Sequence, residues 1–217
     1  MNVSDAEFAE FKAMVRKAVA SLARTAATGR IARDFALFFV DFMEHTDRAI
    51  GVMVGVALEE SSRELLESYL VAGPQTRKLL RRDRGLGSHS ERVEMAFCLG
   101  LIPEWMRDDL FILREIRNEC AHRRAAFFGK RPLSGLIASL QTGALVDEMI
   151  KSQPSFAQGF GGTSTARLII AAGYIWLKLR VWSSILAAEF KCRPLPVLKA
   201  SALRKSRAPK ATGQSPG

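Results

Sequence analysis

The sequence predicts an all-α fold, a single bundle of about six to seven helices with a disordered basic C-terminal tail. Apolar residues recur at helical spacing in one segment after another, as at Phe8, Phe11, Met14, Val15, Ala18 and Leu22. Two capping-box patterns, Ser4-Asp5-Ala6-Glu7 and Ser88-His89-Ser90-Glu91, place a hydroxyl three residues ahead of a carboxylate and mark helix starts. No stretch alternates with a period of two for long enough to make a strand. With 217 residues, 48% of them hydrophobic, the chain can bury one substantial core, so residues 1–191 are expected to form one domain.

The first helix opens at the Ser4 box and ends near Gly29. A second, about 30–44, carries Phe35, Leu37, Phe38, Phe39 and Phe42. Thr46 then suits an N-cap, with Asp47 against the positive end of the helix dipole. The helix that follows runs to about Val71 and is apolar all round in its first half, which marks it as central. Its Gly51 and Gly55, four residues apart, would let a neighbour approach closely. Gly73-Pro74 stops it. A loop or short helix, "QTRKLLRRDRGLGSHS", leads to the helix launched at Ser88, which closes at Gly100. Pro103 fits the first position of a helix reaching about Arg124. A shorter helix is expected within 133–151 and a last one over about 164–190.

The formal net charge of +10 is unevenly spread. Seven of the 32 Lys and Arg, and none of the 22 Asp and Glu, lie in residues 191–217, so the remainder carries only +3. Rich in Pro, Ser, Ala and Gly, and without an aromatic residue, the segment 192–217 reads as disordered. Three dispersed cysteines (Cys98, Cys120, Cys192) make neither a disulfide framework nor a metal spacing. The acidic N-terminus lacks a secretory signal, and the longest apolar runs fall short of the roughly 20 residues that cross a bilayer. A cytoplasmic protein without a membrane partner is expected. No two of the three histidines have ligand spacing, so no metal or cofactor is expected.

"REIRNECAHRR", residues 114–124, is the chemically informative stretch. On a helix Arg117 falls into the apolar arc of Leu110, Leu113, Ile116 and Cys120, with Arg114 at its edge. A guanidinium in such a seam requires a partner. Asp47, Glu59 and Glu60, on or beside the central helix, are the expected carboxylates of a structural ion pair. Asn118 and His122 share the polar side, but Arg117 and His122 stand about 140° apart on an ideal helix. They serve one site only if the helix frays or two subunits face each other. The chemical alternative to a structural pair is phosphate stabilisation by Arg117 and proton transfer by His122. Upstream, Arg77, Lys78, Arg81, Arg82 and Arg84, with Ser88 and Arg92 of the turn "GLGSHSER", form a candidate anion or nucleic-acid surface. The Walker lysine pattern is missing, so nucleotide hydrolysis is not indicated.

Three segments, "TDRAIGVMVGVALEESSRELLESYL" (46–70), "GLGSHSERVEMAFCLGLIP" (85–103) and "RDDLFILREIRNECAH" (107–122), resemble in order and spacing three consecutive blocks of the mannitol operon repressor family. The resemblance covers residues 46–122. It implies an all-helical protein associated with repression of a sugar-alcohol operon, without a recognisable helix-turn-helix, working through a protein co-regulator. Within it, Arg117-Asn118-Glu119-Cys120-Ala121-His122 is similar to the R-N-x-x-x-H form of the HEPN superfamily, helical bundles that often dimerise through this region and include metal-independent ribonucleases as well as non-catalytic RNA binders and regulators. In the catalytic version Arg117 would stabilise the scissile phosphate, Asn118 would orient the site, and His122 would act as general acid or base with the RNA 2′-hydroxyl as nucleophile. Cys120 departs from the bulkier apolar residue expected there. The resemblance also implies a homodimer, and the basic loop and tail leave room for nucleic acid as a partner. If the tail supplies nucleic-acid affinity, deleting residues 193–217 is expected to flatten the dependence of binding on salt, because fewer counterions are released; an unchanged slope in a salt titration would count against it.

Overall fold

The structure, a computed structural model, describes residues 45–123, 125–143 and 162–190, together with 29–31, 33–35, 37, 42, 146, 147 and 151. The expected first helix, from Ser4, and the basic tail lie outside the described residues. The described residues form an all-α bundle without strands. Residues 29–31, 33–35, 37 and 42 are helical, as expected of the second segment. There follow α1 (Asp47–Tyr69), α2 (Pro74–Leu79), α3 (His89–Cys98), α4 (Glu104–His122), α5 (Leu133–Ser139) and α6 (Thr163–Ile185), the last continued by a π-helical turn, Leu186–Phe190.

Local chemistry sets most boundaries. Thr46 caps α1 by accepting from the Ala49 amide. Gly73 and Pro74 begin α2, and the chain between Leu79 and Ser88 closes on itself through bonds from Leu86 N to Leu79 O and from Gly87 N to Arg84 O. Ser88 and Glu91 complete the full reciprocal box at the start of α3. Gly100, at φ +70°, takes the left-handed conformation that ends α3. Pro103 is the N-cap of α4 rather than its first residue, one position earlier than expected. The shorter helix expected within 133–151 is α5, which starts at Leu133 and stops at Ser139, where Leu140 leaves the helical conformation.

α1 is the hub, packing against α3, α4 and α6. It turns Ile50, Val54, Leu58, Leu65 and Leu66 inward, while Val56 on the far side is half exposed. The most enclosed stretch is the middle of α6, in which the six consecutive residues Leu168–Gly173 are all buried, while Val181, Trp182 and Ile185 of its last turns are exposed. By length and composition, Thr163–Glu189 is long and apolar enough to cross a bilayer, although each uninterrupted apolar run within it is short; half of it is buried inside the bundle. Arg180 of α6 pairs with Glu64 of α1 and with Asp34, tying the same layer at its edge.

Between α1 and α4 the backbones come close. A Cβ built on Gly51 would stand 3.0 Å from the Cβ of Cys120 and nearer still to its sulfur; one on Gly55 would stand 2.6 Å from the Cβ of Arg117. Cys120 is fully buried, so the small residue there and the glycine opposite are two halves of one fit. Arg48 of α1 reaches across the end of this seam and donates from Nε to the Cys120 carbonyl, 3.0 Å, and from Nη2 to that of Ala121. It satisfies final carbonyls of α4 that have no partner within the helix.

A buried carboxylate organises the other side of α4. Asp109, with no exposed surface, accepts from the amides of Gln141 (2.7 Å) and Thr142 (2.9 Å) and from the Thr142 hydroxyl (2.8 Å). It pins the turn after α5 to α4. The α1–α4 fit carries a direct expectation. Gly55→Ala should force the helices apart and destabilise the protein by about 1–3 kcal/mol, the usual cost of overpacking, measured by urea unfolding. An unchanged midpoint would mean that the seam relaxes freely.

Candidate functional site

A cleft of about 290 Å³ opens between α1, α4 and the start of α3. Leu58, Leu110 and Leu113 form its apolar floor, and its polar wall comes from Glu59, Arg82, Ser88, His89, Arg114, Arg117 and Asn118. Gly87 closes one side, where the backbone of Arg81 and Arg82 lies too near for any Cβ. The "GLGS" turn is therefore glycine-dependent for close approach rather than for an unusual φ.

Arg117 enters the cleft because of the seam. Its stem lies over Gly55, where a larger residue would displace it, and the guanidinium extends along α4 to donate from Nη1 to Asn118 Oδ1, 3.0 Å. The expected carboxylate partners do not meet it. Glu59 shares the cleft but pairs at 2.7 Å with Arg92, whose side chain is 5% exposed. Asp47 accepts instead from the Phe128 amide (2.8 Å) and the Thr165 hydroxyl (3.5 Å). Glu60 is exposed on the outer side of α1. Among the described residues Arg117 forms no salt bridge. Partial exposure at the cleft makes this tolerable, because a guanidinium open to solvent keeps part of its hydration, and the Asn118 carbonyl accepts one of its hydrogen bonds.

The structure divides the predicted R-N-x-x-x-H set. Arg117 and Asn118 line the cleft; His122, in the last turn of α4, is exposed and lies outside the lining. The carbonyls of Cys120 and Ala121 go to Arg48, and Arg123 pairs with Glu119. The predicted basic surface divides as well. Arg82 and Ser88 line the cleft, Arg92 is turned inward to Glu59, and Arg77, Lys78, Arg81 and Arg84 are exposed to solvent, Arg84 beside Asp83 at 3.5 Å. The amides that the turn was expected to offer an anion are used internally: Leu86 and Gly87 donate to backbone carbonyls, Ser88 to the Glu91 carboxylate, and Glu91 to Ser88 Oγ. The turn's own amides are therefore largely committed, and the side chains of the wall carry most of the cleft's donors.

Two cleft residues were not legible as such in the sequence. Arg114 stood at the edge of the α4 arc, and its position one turn before Asn118 was the available signal. His89 appeared only as a residue at a helix start. Burial pushes its imidazole down to about 4; Glu59 pulls the other way, and the guanidinium groups of Arg92, Arg114 and Arg117 add to the lowering. The ring is thus neutral at pH 7, and its Nδ1 is buried with no hydrogen-bond partner among the described residues. Cys120, by contrast, is chemically quiet: burial, then Asp47 and Glu119, raise its thiol to about 11. The described residues hold no group of three His, Cys, Asp or Glu side chains arranged for a metal ion.

The depressed His89 has a stability consequence. Its folded value of about 4 lies below the ordinary 6.5, so the unfolded chain takes up a proton between those values that the folded chain refuses. Stability attributable to His89 is whole above pH 6.5 and falls as the pH drops to 4, by at most on the order of 3 kcal/mol. Urea unfolding at pH 7 and pH 4.5 should therefore show a smaller loss for His89→Asn than for the parent chain; equal losses would refute the burial of this ring. Among known proteins, no family model, no curated protein and no solved structure matches this chain.

Proposed function

We propose that the chain is a helical regulatory protein of the mannitol operon repressor kind, cytoplasmic and homodimeric, acting on transcription through contacts with other proteins. The segments that resemble that family, 46–70, 85–103 and 107–122, correspond to α1, the α3 region and α4. They are the elements that line the cleft, so the resemblance and the cleft fall in one structural unit. The observation that carries a binding role over a catalytic one is the separation of Arg117 and Asn118, in the cleft, from His122, exposed beyond it. General acid–base chemistry needs the proton-transferring group within hydrogen-bond reach of the reacting atoms, and one protomer does not bring the histidine to the arginine's cleft.

The second reading is a metal-independent ribonuclease of the HEPN type. What favours it is the guanidinium of Arg117, which no carboxylate neutralises among the described residues and which is therefore available to a phosphate. In that reading His122 of one protomer completes the site of another, and the exposed Arg77, Lys78, Arg81 and Arg84 guide the RNA.

One experiment separates the two. Purified protein in chelator is incubated with structured and single-stranded RNA, beside His122→Ala. The regulatory reading expects no cleavage above the buffer control by either protein, and an unchanged thermal midpoint for the variant, because His122 is exposed and outside the cleft. Cleavage by the parent that His122→Ala abolishes, with the midpoint retained, overturns it in favour of the enzyme.

A further inference from the structure

We propose that the cleft between α1, α3 and α4 binds a small phosphate dianion, free or as the head of a phosphomonoester, through the guanidinium groups of Arg82, Arg114 and Arg117. The proposal does not depend on the regulatory reading, since binding is measured on the protein itself. Three arginines from two separate segments line one concavity, and none of them forms a salt bridge among the described residues. Like charges gathered in this way repel one another, and a dianion among them removes the repulsion. The one carboxylate in the wall, Glu59, is held by the buried Arg92, so it is neutralised before a ligand arrives.

The remaining groups suit phosphate oxygens. Planar guanidinium groups donate two parallel hydrogen bonds to such an anion. The Asn118 amide nitrogen is a further donor at the same wall, since its oxygen already accepts from Arg117. His89 Nδ1, buried and unpartnered, gains an acceptor if its proton is on that nitrogen. The apolar floor gives the carbon part of a phosphomonoester a place to lie, and about 290 Å³ is at the small end of ligand sites. A nucleic-acid strand is disfavoured by the same geometry: Arg77, Lys78, Arg81 and Arg84, which would continue its path, do not line the cleft.

The test uses the full-length chain and two double variants of equal charge change. Arg82→Gln with Arg114→Gln alters the cleft at exposed side chains, so folding is retained; Arg77→Gln with Lys78→Gln removes two cations outside it. Binding of inorganic phosphate, glycerol 3-phosphate and a short RNA is measured at fixed ionic strength by amide chemical-shift titration and by thermal midpoint. We expect saturable binding of phosphate or glycerol 3-phosphate, with shifts centred on His89 and Asn118 and a raised midpoint. The cleft variant should weaken it about tenfold or more, as losing charge-assisted hydrogen bonds implies, and the outer variant by less than about twofold. Tighter binding of glycerol 3-phosphate than of phosphate identifies a phosphomonoester; the reverse identifies the free ion. No saturation by about 20 mM of either anion, equal weakening in both variants, or binding of the RNA alone overturns the proposal.

Discussion

The close approach of α1 and α4 is the constraint on which the rest of the molecule depends. Gly51 and Gly55 remove two side chains from the face of α1, and α4 fills the space with Cys120 and with the stem of Arg117. Two helices in such contact leave no room for a third layer between them, so polar groups at the margin are forced along the interface or out of it. Arg117 goes along it into the cleft. Arg48 goes across it and occupies the last carbonyls of α4. His122, two residues beyond Cys120, is left in solvent. The place of Arg117 in the cleft is in this sense a consequence of the fit of its stem against Gly55.

Charge inside the bundle is distributed by enclosure, though not uniformly: Arg92 Nε and Arg167 Nε are buried without a hydrogen-bond partner among the described residues. Where a polar group is fully enclosed, it is answered: Asp109 by two amides and a hydroxyl, Arg92 by Glu59. Of the arginines at the cleft, Arg114 and Arg117 are without a carboxylate partner among the described residues. Enclosed groups that lacked partners would pay the full desolvation cost, whereas groups at a wet concavity keep part of their hydration and remain able to exchange it for a ligand. His89 sits between these regimes. It is buried enough to be held neutral, yet its Nδ1 has no protein partner.

Much of the helical layout was legible because it is written in short-range chemistry. The Thr46 cap, the Ser88–Glu91 box and the break at Gly73-Pro74 each involve groups within a few residues, so their geometry follows from the local chain. The periodicity of α4 likewise located Arg117 in the seam. The same periodicity puts Asp109 between Leu113 and Ile116 on the helical wheel; its partners at 141 and 142 are far away in sequence and leave no local sign. The exact end of α5 at Ser139 was hidden for the same reason, since Asp109 helps to hold the turn that follows.

The sequence by itself determined that this chain is helical, where most of its helices begin and end, and that an arginine enters the apolar arc of its helix; that a pair of glycines stands opposite came only with the packing. Tertiary structure alone decided who answers whom. Glu59 is equally able, by sequence, to meet Arg92 or Arg117, and only the relative placement of α1, α3 and α4 gives it to Arg92. Capping and periodicity are set by neighbours a few bonds away, but an ion pair is chosen by distance through space, and that distance exists only once the helices have packed.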